Sequence, residues 1–106
     1  MFAERSDQEE YGMNAPLRVG IIGDFNPQLR SHVATNEALR HAASALSVMV
    51  DAVWLPTPSL AQADCTTTLQ RFDALWCAPA SPYHSMQGAL TAIQFSREQG
   101  WPFLGT

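Results

Sequence analysis

Four short apolar runs, three of them closed by a glycine or a proline, set the strongest limit on how this chain can fold. The first, Val19-Gly20-Ile21-Ile22, ends at Gly23-Asp24. It shows no alternation of apolar and polar residues, which is the pattern of a strand buried on both faces, as in a parallel sheet. The second, within SVMVDAVWLPT, stops at Pro56 and Pro58, because proline cannot continue a sheet ladder. The third, FDALWCAP, closes at Pro79, and the fourth begins at PFLGT.

Helical patterns separate these runs. From about Ser31 a helix is expected, with Leu39, Ala42, Ala43 and Leu46 as its apolar stripe and Glu37 and Arg40 able to pair weakly beside it. Residues 59–72 read as a weaker helical stretch, since the threonine run Thr66–Thr68 has low helix propensity. Ser85 is a good N-cap for a further helix with the stripe Met86, Ala89, Leu90 and Ile93. Gly100 stands at its C-terminal stop, with Pro102 just beyond. The order βαβ(α)βαβ predicts an α/β fold with a parallel sheet, and right-handed crossovers place helices on both faces.

Residues 1–16 contain four acids and one arginine, so they carry −3 of the formal charge of −4. They are expected to be a flexible acidic tail, and residues 17–106 the ordered domain. The acidic balance, six scattered arginines and the absence of lysine argue against a nucleic-acid surface and against a P-loop. Nowhere are there about eighteen consecutive apolar residues, so no membrane association is expected and the cytoplasm is the expected compartment. Two cysteines, Cys65 and Cys77, make no disulfide framework and have no metal-ligand spacing with the three histidines. No metal or cofactor is expected.

In open α/β sheets the working site lies beyond the carboxyl ends of the strands. That rule nominates the loops Gly23–Arg30, Pro56–Leu60 and Ala78–Ser85, which offer Asp24, Asn26, Arg30, Ser81, Tyr83, His84 and Ser85. A hydrolase triad of Ser81, His84 and Asp24 is disfavoured, because Ser81 lies between Ala80 and Pro82 rather than on a Gly-x-Ser-x-Gly elbow. His41 reads as a half-buried packing residue, His32 and His84 as exposed loop residues, and Cys77 as a small buried hydrophobe.

Taken together, VGIIGDF, SHVATNEALRHAA, FDALWCAP and MQGALTAIQFSREQGWPFLGT resemble, in that order, the opening of a class I glutamine amidotransferase domain, most nearly that of CTP synthase. The resemblance covers residues 17–106 and implies a flavodoxin-like three-layer α/β/α sandwich, of which about four strands are present. It implies hydrolysis of glutamine to glutamate and ammonia by a cysteine–histidine–glutamate triad, with the ammonia passed to an acceptor such as a pyrimidine nucleotide. The nucleophile's place would be just after Thr106. The resemblance therefore implies the N-terminal half of such a domain, with no catalytic residue of its own and no glutaminase activity alone.

The loop after the third strand would supply oxyanion-hole N–H groups from Ala80 and Ser81. Asp24, Asn26, Pro82 and Tyr83 would be substrate-loop residues. Ala80-Ser81-Pro82 stands where the family has Gly-Gly-Phe, and Gly23-Asp24-Phe25 replaces Gly-Lys-Tyr, removing a positive charge. Glutamine is then a partner only if the missing half is supplied. Two other readings fit the residues: a module that self-associates through an uncovered sheet region, and a small nucleotide- or flavin-binding flavodoxin-like protein.

Overall fold

The computed structural model describes residues 16–78 and 83–105. Tail residues 1–15, loop residues 79–82 and Thr106 lie outside them. Strand β1 (Leu17–Ile22) leads into helix α1 (Arg30–Leu46), then β2 (Val50–Leu55). A 3-10 turn (Thr57–Ala61) and a short helix α2 (Cys65–Leu69) follow, then β3 (Ala74–Cys77), α3 (Met86–Gln99) and β4 (Phe103–Gly105). All four strands are parallel and lie in the order β2-β1-β3-β4. This is the doubly wound order of flavodoxin-like sheets, whose switch point falls between β1 and β3.

Strand register explains the two layers of packing. Leu55, Ile22 and Cys77 align across the sheet, as do Val53, Gly20 and Leu75. This face meets Leu60, Cys65, Leu69, Phe72, Ala89, Ala92 and Phe95 in the main core. A Cβ at Gly20 would crowd this layer, lying 2.9 Å from Leu55 Cδ1 and 3.0 Å from Leu75 Cδ2, so those side chains would have to shift. The opposite face carries Trp54, Ile21, Trp76 and Leu104 in one row, and α1 lies over its β2 side. Trp101 ties the end of α3 to the core, donating its indole N–H to Phe72 O at 2.7 Å.

The helix ends form as expected. Ser85 Oγ accepts the Gly88 N–H at 3.1 Å, satisfying one of the free donors of the first turn. Gly100 closes α3 with φ of 67°.

The helix faces differ from the expected ones. In α1, Ala42 and Leu46 are exposed, and the inward line is His32, Thr35, Leu39 and Ala43. The helix begins at Arg30, so His32 is a buried helical residue rather than an exposed loop residue. His41, expected to be half-buried, is exposed, because it lies on the side of α1 turned away from the sheet. In α3, Met86 and Leu90 face solvent, and contact is made by Gly88, Ala89, Ala92, Phe95 and Ser96. Small residues allow that helix to approach more closely than a leucine stripe would. Glu37 and Arg40 do pair at 4.0 Å, both exposed.

Candidate functional site

The chain leaves β1 at Gly23 and places Asp24 in the crevice between the ends of β1, β2 and β3. Its carboxylate takes up three donors from two other loops. Asp24 Oδ1 accepts the Thr57 N–H at 2.9 Å, while Oδ2 accepts the Thr57 hydroxyl at 2.7 Å and the His84 N–H at 2.9 Å. Thr57 is fully buried, and its Oγ1 in turn accepts the Ser85 N–H at 2.8 Å. One carboxylate and one hydroxyl therefore join the end of β1, the turn after β2 and the start of α3.

The His84 ring lies beside this hub, Nδ1 at 3.6 Å from Asp24 Oδ1, and is largely in solvent. Burial raises the Asp24 carboxyl's affinity for its proton. The His84 N–H, the Thr57 hydroxyl, the Thr57 N–H and the charge of the His84 ring together outweigh that, and hold the group below the usual carboxylate range.

Tyr83 is turned inward. Its hydroxyl donates to Ala78 O at 2.8 Å and lies 3.1 Å from Cys77 Sγ. With the phenolic proton committed to the carbonyl, the thiol is the donor in the second contact. Burial first, then the hydrogen bond and charge of Cys77, then the Asp24 carboxylate, push the phenol up to about 12. A raised value means that the neutral phenol is the form the fold favours. This contribution to stability is complete below the ordinary tyrosine pKa of about 10 and is lost as pH rises through 12. Spectroscopic titration should show Tyr83 ionising well after a free tyrosine, and Tyr83→Phe should remove that late transition. A normal titration of Tyr83 would contradict the geometry.

Asn26 lies on the exposed side of its loop and organises it. Its Oδ1 accepts the Gln28 N–H at 2.9 Å, and its own N–H donates to His32 Nδ1 at 3.0 Å. His32 is wedged against Trp54 at 4.7 Å between ring centroids, with Phe25 at 5.0 Å from the same indole.

Of the residues anticipated for the site, Asp24, Tyr83, His84 and Ser85 are brought together around the β1/β3 switch point. Arg30 opens α1. Ala80, Ser81 and Pro82 lie outside the described residues. Thr57 was not anticipated, although the loop that holds it was. The signal was present: a threonine between two prolines directly beyond a strand's carboxyl end.

The comparisons with known proteins bear on this geometry. No family model matches the chain. CTP synthase of Thermosynechococcus vestitus is 34% identical to it over 95 residues, covering 90% of this chain and 18% of that protein. CTP synthase of Prochlorococcus marinus is 28% identical over 90 residues, covering 85% and 17%. The chain is a homologue of CTP synthases. The fold agrees: the glutaminase domain of Trypanosoma brucei CTPS, solved with bound acivicin, superposes with a TM-score of 0.73 at 17% identity. That match covers 84% of this chain and 35% of the solved one. The resemblance read from the sequence is thus borne out, as are the α/β class and the flavodoxin-like parallel sheet. This CTP synthase-like segment spans less than a fifth of its curated relatives' length. None of its described helices is long and apolar enough to cross a membrane, and its described residues contain no cluster of metal-binding side chains.

Proposed function

We propose that residues 17–106 form the N-terminal scaffold of a CTP synthase-type class I glutamine amidotransferase domain, and that this chain alone does not hydrolyse glutamine. The observation that carries the second statement is the placement of the thiols. The chain has two cysteines, and both are buried. Cys65 and Cys77 belong to the main core cluster, with Cys77 against the Tyr83 hydroxyl. A nucleophilic cysteine needs access to substrate, and a thiol packed among leucines and phenylalanine does not have it. The resemblance places the working cysteine at the turn after β4, outside this sequence. What the chain contributes is the β1/β3 crevice, with Asp24 and Thr57 fixing His84 and Ser85 there and Ala78 O holding Tyr83 beside them. In this reading the ammonia acceptor is a pyrimidine nucleotide, as the relatives' name indicates. Incubating the purified chain with glutamine and measuring ammonia tests the reading, and none is expected.

A second reading concerns association with another copy. Among the described residues β4 pairs with β3 alone, so its far edge has open backbone groups. Beside it runs an apolar groove lined by Val19, Leu39, Trp76, Pro102, Phe103 and Leu104. Leu104 and Phe103 are exposed. Open edges beside apolar surface favour pairing with another chain. Light scattering should therefore show a concentration-dependent dimer that Leu104→Glu abolishes. A monomer at every concentration would contradict this reading.

A further inference from the structure

On the α1 face, at the opposite edge of the sheet from β4, a helix stripe and a strand stripe meet without filling the space between them. Asn36, Leu39, Arg40 and Ala43 follow one another at helical spacing, and Val50, Ala52 and Trp54 alternate along β2. Alanines stand at two of these facing positions, and the trough they leave has a volume of about 390 Å³. That lies within the usual range for small-molecule sites. Its floor is apolar and one end is rigid. The Trp54 indole packs against His32 and Phe25 and donates its N–H to Asn36 Oδ1 at 2.8 Å.

Two polar side chains line the trough. Asn36 uses its carbonyl oxygen for the indole, so the amide nitrogen is the end left to meet a ligand, and it is a donor. Arg40 has donors only. Glu37, half in solvent, lies 4.0 Å from Arg40 and would compete for the guanidinium. Asp51 alternates onto the other face of β2, where it pairs with Arg18.

We propose that this trough binds a small amphipathic carboxylate. Its flat or branched apolar body would lie over Ala43, Ala52 and Trp54, and its carboxylate would meet Arg40 and Asn36. A neutral ligand of the same shape would leave the guanidinium unused.

Heteronuclear NMR of the full chain, titrated with phenylacetate and separately with phenylacetamide, tests this. The Trp54 indole signal, assigned from Trp54→Phe, should move saturably with phenylacetate. Phenylacetamide should bind about fivefold more weakly, the size expected for a partly exposed charge pair, and Arg40→Gln should remove that difference. Ala43→Leu and Ala52→Val fill the trough from its two walls, and each should abolish the shift while the chain remains folded by circular dichroism. Equal affinity for the two probes, an unaffected preference in Arg40→Gln, binding that survives both filling variants, or no saturable shift of Trp54 would each overturn the proposal.

Discussion

Gly88→Ala should be among the most damaging single changes available to this chain, although alanine is the better helix former. A Cβ at position 88 would lie 1.8 Å from Thr57 O and 2.8 Å from Thr57 C, both backbone atoms. No rotamer change relieves such a contact; α3 and the turn after β2 must separate. Alanine recovers about 1 kcal/mol of helix propensity, while overpacking of well-packed surfaces costs about 1–3 kcal/mol and more where backbone must move. The expected net loss is about 3 kcal/mol, or roughly 12–24 °C in melting temperature for a domain of this size. Because Thr57 is the acceptor for the Ser85 N–H and a donor to Asp24, the change should also disturb the amide signals of His84 and Ser85. Gln87→Ala, at an exposed neighbouring position, should be nearly neutral. Equal melting of the two variants would mean that α3 does not rest on Thr57.

Removing the carboxylate at Asp24 should cost nearly as much by a different route. Asp24→Ala leaves the Thr57 N–H, the buried Thr57 hydroxyl and the His84 N–H without their acceptor. Hydrogen bonds to a charged group contribute about 1.5–3 kcal/mol each, and water reaches part of the vacated space, so a loss of about 3 kcal/mol is expected. Asp24→Asn keeps one accepting oxygen but turns an amide N–H toward a donor, and should recover less than half of that.

The acid dependence gives an independent check. The carboxyl's folded pKa is depressed, so in the acid range the unfolded chain takes up the proton first. The contribution is complete above the ordinary carboxylate pKa and is lost as pH falls through the lower folded value. Denaturant melts at descending pH should therefore show wild type losing its advantage over Asp24→Asn in that window. A constant difference between the two proteins down to strong acid would contradict the assigned network.

How far the sequence alone reaches is clearest from particular residues. The strands were legible because apolar runs stop at Gly23, Pro56 and Pro79, and the ends of α3 because Ser85 and Gly100 are suited to caps. The inner faces of the helices were not. A search for apolar spacing passes over Gly88 and Ser96, whose small size is what lets α3 approach the turn at Thr57. It passes over His32 and Thr35 too, which are buried; Asn26 satisfies one ring nitrogen of His32 and Ser31 O satisfies the hydroxyl of Thr35. The rule that sites form beyond strand ends found Asp24 and the Pro56–Leu60 loop. It could not show that Asp24 and Thr57 face each other, since that contact joins residues 33 positions apart. His84 Nδ1 beside Asp24 likewise depends on the switch-point geometry rather than on any local motif.

The central claim is that this chain carries the scaffold of a glutamine amidotransferase without an accessible nucleophile. The most direct test is ammonia release from glutamine by the purified chain, run beside the double variant Cys65→Ser, Cys77→Ser. The account predicts no release above the enzyme-free blank for either protein. Turnover by the wild-type chain that disappears when the two cysteines are replaced would contradict it.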